Sequence, residues 1–123
     1  MGEKLVRGIR GAITVKNTAD DICHATTRLL KAVVEANDID IEDIASIFFT
    51  TTPDLNADFP ATGARKLGWS HVPLLCAREI DVPHSMPSLI RVLLHVNTTK
   101  SQSEIKHQYL EEAAALRPDL MNK

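Results

Sequence analysis

Only one stretch of this chain carries a long helical period. After Thr18, a side chain suited to capping a helix start, Ile22, Ala25, Leu29, Val33 and Ala36 recur at helical spacing, and Asp20 and Asp21 complement the dipole of the first turn. The helix is expected to end near Asn37. The other clearly periodic segments read as strands. Leu5 to Val15 sets Leu5, Ile9, Ile13 and Val15 on one face and Val6, Arg10 and Ala12 on the other. Ile44 to Thr51 is rich in Ile, Phe and Thr with both faces largely apolar, which suits an interior strand. Val72 to Cys76 and Ser88 to Asn97 complete the set, the latter with Ile90, Val92, Leu94 and Val96 on one apolar face and Arg91 opposite, beside Leu89 and Leu93. Pro60 can open a short helix through Leu67, weakened by Gly63 and stopped at Gly68. The tail stays open: Ser103 to Leu110 can be helical, while Ala113, Ala114, Ala115 and Leu116 have helix-forming composition and can equally pair with a sheet edge.

These elements fit one domain spanning residues 1–123, because a chain of 123 residues has material for one core and shows neither an internal repeat nor a polar linker. With 44% hydrophobic and 24% charged residues the composition is that of a globular domain. Fourteen Lys and Arg against sixteen Asp and Glu leave a net charge of −2, so no global basic field draws nucleic acid or a membrane. An anionic ligand must instead be held by a few converging arginines. Cys23 and Cys76 are too few and too isolated for a disulfide framework or a zinc site. The N-terminal Met1-Gly2-Glu3-Lys4-Leu5 lacks a signal-type apolar region, and no apolar run approaches membrane-spanning length. The expected compartment is the reducing cytoplasm.

Two arginines on strand faces, Arg10 and Arg91, need anionic partners, because an unpaired guanidinium is expensive to desolvate. Solvent, carboxylates at a subunit contact, or a bound carboxylate or phosphate would each satisfy them, and a second strand arginine with Arg65 and Arg117 near turns adds weight to the bound ligand. Cys76 and Glu79 are three apart and fall on opposite faces of a regular strand, so serving one site requires a kink near Ala77. Otherwise Cys76 is a small core residue and Glu79 a solvated strand end. His24, His71, His84, His95 and His107 show no metal-ligand spacing. Asp81, His84 and Ser85, in a Pro-flanked segment, read as turn residues rather than a triad, and no Gly-rich phosphate loop is present.

Four separated segments together resemble one known family. They are Arg7-Gly8-Ile9-Arg10-Gly11-Ala12; Thr52-Pro53-Asp54-Leu55 running into Phe59-Pro60-Ala61 and Arg65; Val72-Pro73-Leu74-Leu75-Cys76 with Glu79 and Ile90-Arg91-Val92; and Tyr109-Leu110 with Leu116-Arg117-Pro118-Asp119-Leu120. In this order, over nearly the whole chain, they resemble the monofunctional AroH-class chorismate mutases. Thr62 stands where a basic residue can occur and Gly63 where alanine is more usual, two departures expected at the rim of the pocket.

The resemblance implies an α+β subunit, a five-stranded mixed sheet packed on one long helix, assembling as a homotrimer in a pseudo α/β barrel with sites between subunits. It implies the rearrangement of chorismate to prephenate in phenylalanine and tyrosine biosynthesis, without a cofactor or metal. By the same resemblance Arg91 stands at the ether oxygen, with Glu79 and Cys76 near the ring hydroxyl and the electron-poor side of the ring. Arg10 takes a substrate carboxylate with Tyr109 assisting; Phe59, Ala61, Leu74 and Leu75 form the apolar wall; Arg65, Leu116 and Arg117 form the mouth and its cover. The competing expectation is a trimeric small-molecule binding or deaminase-type protein of similar subunit fold, which does not need Cys76, Glu79 and Arg91 together. A structural module without a site predicts that these three residues do not converge.

Overall fold

The computed structural model describes residues 2–121; Met1, at the head of the N-terminal segment, and Asn122 and Lys123, at the end of the 1–123 span, lie outside the described residues. Alternation builds the first strand, β1 (Leu5–Thr14), whose Ile9 and Ile13 are buried while Val6 and Arg10 on the other face are exposed. The long helix α1 (Ala19–Asn37) begins as expected, with the Thr18 hydroxyl accepting from the Asp21 N–H at 3.0 Å, a cap worth about 1 kcal/mol. It ends where Asp38 turns left-handed at φ 50°. Ile22, Leu29, Leu30 and Val33 of α1 are fully buried, each contributing about 1.5–3 kcal/mol relative to exposure.

Strand β2 (Ile44–Thr51) has the expected bounds, but only the Ile47 and Phe49 side of it is buried within the chain; Phe48 on the other side is 41% exposed. A short helix α2 (Ala61–Lys66) packs on α1; Pro60 caps it rather than forming its first residue, and Gly68 ends the turn at φ 83°. Strand β3 (Leu74–Arg78) lies two residues later than the sequence predicts. Pro73 has no N–H to give the ladder, yet its carbonyl accepts from Ile47, so pairing starts there and runs on beside β2. Strand β4 (Leu89–Thr98) sends Ile90, Val92, Leu94 and Val96 into the core.

The ambiguous tail resolves into several short pieces. A 3₁₀ turn, Gln102–Glu104, is followed by β5 (Gln108–Leu110), a second 3₁₀ turn at Glu111–Ala115 and a short helix α3 (Pro118–Met121). The sheet edge is therefore taken by Gln108–Leu110, not by the alanine run. Buried Asn37 anchors this tail, donating to Val33 and Lys106 carbonyls and accepting from the Lys106 N–H at 2.8 Å.

The five strands form one mixed sheet in the order β3-β2-β4-β1-β5, with β4 antiparallel to β1 and β2, and β3 and β5 parallel to their neighbours. One face of the sheet is covered by α1 and holds the main core. The opposite face carries a small cluster of Ala12, Leu89, Tyr109 and Ala113, and is otherwise open, exposing Val6, Phe48, Leu75 and Leu93. Among the described residues no helix is long and apolar enough to cross a membrane.

Candidate active site

The open face of the sheet is where the polar residues gather. Because alternation commits Ile90 and Val92 to the core, Arg91 must project from the opposite side. The register then sets its neighbours: Ala12 of β1 and Thr50 of β2 lie directly opposite Arg91, with Tyr109 beyond Ala12 and Ala77 beyond Thr50. In the next row Arg10, Leu93, Phe48 and Leu75 lie across four of these strands, β1, β4, β2 and β3. A cleft of about 360 Å³ is lined by Arg10, Arg91 and Tyr109 together with Thr50, Glu79, Phe48 and Leu93.

The electrostatics of this cleft are asymmetric. Glu79 lies one residue past β3, and its N–H bonds to the Thr51 carbonyl at 2.9 Å, so the ladder carries it onto the open face. Its Oε2 is 3.4 Å from Arg91 Nε and also accepts a hydrogen bond from the Thr50 hydroxyl. The Arg10 guanidinium has no hydrogen-bond or ion-pair partner among the described residues, although the Arg10 backbone N–H donates to His107 Nδ1 at 2.9 Å. Two cations against one carboxylate leave net positive charge, and Phe48 and Leu93 keep the surroundings apolar, which strengthens the attraction for an organic anion.

Cys76 does not enter this cleft. The expected kink at Ala77 is absent: β3 continues in register through Arg78, so Cys76 stays paired with Phe49 on the core side while Glu79 points the other way. Cys76 lines a second cleft of about 480 Å³, together with Phe59, Pro60 and Ala77. Phe59 is 67% exposed there. Leu74 packs toward the core, Leu75 lies on the open face, Ala61 is buried at the start of α2, and Arg65 is exposed in its last turn.

The Thr52-Pro53-Asp54 turn braces the start of β4. Thr52 exchanges hydrogen bonds with Leu89, N–H to carbonyl at 3.0 Å and Leu89 N–H to hydroxyl at 2.9 Å. Asp54 accepts from the Ser88 N–H at 3.0 Å and its hydroxyl at 3.1 Å, holding Ser88 left-handed at φ 57° just before β4 starts. Burial works against the Asp54 carboxylate, but the bonds from Thr52 and Ser88 outweigh it and hold its pKa below the ordinary value.

Leu116 packs beside Tyr109 in the small second cluster, and Arg117 forms a two-bond pair with Asp119 at 3.0 and 3.1 Å, which raises its pKa. Neither lines the Arg10–Arg91 cleft. Gly63 is buried, not at a rim: a Cβ there would lie 2.7 Å from Thr26 Cβ on α1. His84 and Ser85 lie in an exposed turn where the Ser85 hydroxyl donates to the Val82 carbonyl at 2.6 Å, so no triad forms. Among the described residues no three His, Cys, Asp or Glu side chains gather as a metal-binding group. A larger cleft, about 650 Å³, lies between α1 and Glu111, but its Arg28 is engaged by Glu111 at 2.5 Å and neither strand arginine reaches it.

Thr50 and Phe48 were not distinguishable as site residues in the sequence. Alternation places both on the same side of β2, but only the β2–β4 register, which the sequence does not reveal, sets Thr50 against Arg91.

The family model for chorismate mutase type I matches residues 6–120. The chain is 51% identical to the chorismate mutase AroH of Thermus thermophilus, over 94% of this chain and 97% of that protein. It is 43% identical to the chorismate mutase AroH of Bacillus subtilis, over 94% and 93% respectively. A solved chorismate mutase from Clostridium thermocellum superposes with a TM-score of 0.87 at 51% identity, covering 89% of this chain and 98% of the other.

Proposed function

The chain belongs to the type I chorismate mutase family, isomerases of aromatic amino-acid biosynthesis, and on that premise we propose that the Arg10–Arg91 cleft is one half of a chorismate site completed by a second copy of the chain. The observation that carries this reading is the pairing of Arg91 with Glu79 at 3.4 Å beside an Arg10 guanidinium that has no partner among the described residues. Chorismate is a dicarboxylate, and its conversion to prephenate is an intramolecular [3,3] rearrangement that transfers no proton and needs no nucleophile. The enzyme therefore acts by holding the reactive conformer and by answering the charge that develops as the ether bond breaks.

Arg91 faces the ether oxygen, where negative charge grows. Glu79 accepts from the ring hydroxyl and faces the electron-poor ring, while Arg10 and Tyr109 hold a carboxylate. Phe59, Ala61, Leu74, Cys76 and Arg65 belong to the opposing wall, Leu75 to the same face as Arg10, and Leu116 and Arg117 to the mouth. Two separate clefts in one chain support that division: Phe59 and Cys76 line one, and Arg10, Glu79, Arg91 and Tyr109 line the other. The exposed apolar row Phe48, Leu75 and Leu93 supports assembly through the open face, and a cyclic homotrimer gives every cleft one wall from each of two neighbours. Two free thiols, Cys23 and Cys76, fit a cytoplasmic enzyme.

The test is chorismate disappearance with prephenate formation by purified protein, with no cofactor added and with a metal chelator present. Turnover unaffected by the chelator is expected. A folded, assembled protein that binds chorismate without converting it would leave a binding protein instead.

A further inference from the structure

From the geometry on the open face we infer that Thr50 is a positioning residue for the reaction, holding the Glu79 carboxylate so that Arg91 keeps its charge free for substrate; the inference rests on the chorismate mutase reading. Thr50 projects from β2 directly opposite Arg91 and lines the same cleft. Its hydroxyl has one proton, and donates it to Glu79 Oε2. That same oxygen lies 3.4 Å from Arg91 Nε, longer than a tight charge-assisted hydrogen bond. The carboxylate is thus tethered to a neutral donor and only leans on the guanidinium. Oε1 has no hydrogen-bond partner among the described residues and is left for a substrate hydroxyl.

Without the hydroxyl, a carboxylate beside a guanidinium collapses into the two-bond fork that Arg and carboxylate prefer. Such a pair would cancel much of the positive field that the breaking ether bond requires and would turn the Arg91 donors away from it. The loss would therefore fall on the transition state more than on ground-state binding, because Arg10 continues to hold a substrate carboxylate.

The experiment compares wild type, Thr50→Val, Thr50→Ala and Thr50→Ser, each alone and in a Glu79→Ala background. Valine keeps the shape and the β-branched character of threonine, and alanine carries the test should valine disturb folding. Loss of the one hydroxyl donor should lower kcat by about tenfold to a hundredfold with KM within about twofold, the scale of a hydrogen bond to a charged group. Serine, which keeps the donor, should restore kcat to within about threefold of wild type. In the Glu79→Ala background the valine change should alter kcat by less than about twofold, because the group it positions is gone. Equal losses in both backgrounds, a serine variant as slow as the alanine one, or a raised KM at unchanged kcat would overturn the inference. Wild-type protein inert toward chorismate would overturn the parent reading, and this one with it.

Discussion

Arg91 carries a guanidinium opposite two small side chains, Ala12 and Thr50, so nothing bulky screens it from the cleft, and the carboxylate of Glu79 stands off at 3.4 Å. Arg91→Ala should therefore lower kcat by about 10²- to 10³-fold, the scale of removing one preorganised donor from developing charge. Arg91→Lys should also be slow, because an ammonium does not reproduce the guanidinium fork. Cys76→Ser should be mild, since the rearrangement needs no nucleophile and Cys76 packs on the core side of β3. Steady-state kinetics on the three variants checks this ordering; a dead Cys76→Ser beside an active Arg91→Ala would reverse it and demand covalent chemistry. The strand arginines were legible because a guanidinium on a β-face needs an anion once it is desolvated. Thr50 was not, since a threonine in an interior strand is already explained by β-propensity.

At the scale of elements, the contact between α1 and α2 depends on Gly63 having no side chain. An added Cβ would lie 2.7 Å from Thr26 Cβ, 2.9 Å from Thr26 Cγ2 and 3.0 Å from the Cys23 carbonyl oxygen. Two of these atoms belong to the rigid part of a helix, so the helices must part. Gly63→Ala gains about 1 kcal/mol of helix propensity and loses about 1–3 kcal/mol to overpacking. The expected net is a lower Tm in a thermal melt, and a raised Tm would show that α2 shifts freely. A position that reads in the sequence as a weak helix residue near the pocket is thus a packing residue under it. Helix α1 and strands β2 and β4 were legible because their apolar periods are long and regular. The start of β3 was not, because ladder pairing with β2 decides where it begins. Three-residue β5 escaped because its ladder partner, β1, lies at the other end of the sequence and its own composition suits a helix.

For the whole molecule, the proposed division of the site between neighbours makes a quantitative demand. Arg91→Ala disables one wall, and a Phe59 and Arg65 double variant disables the other. In a cyclic trimer, co-refolding the two inactive proteins in equal amounts should leave about one cleft in four with both walls intact. Activity should recover to about a quarter of wild type, measured as prephenate formed per subunit. Mixed assemblies as inactive as either parent would place both walls in one chain. A different consequence follows from where β1 sits in the sheet. Strand β1 lies between β4 and β5, so it has no ladder partner until Leu89–Thr98 has been synthesised, and no second one until Gln108–Leu110 follows. Until then the nascent chain carries β1 unpaired, with Ile9 and Ile13 lacking a ladder-paired partner. A chain cut short before residue 89 lacks both ladder partners of β1 and is expected to aggregate through that strand.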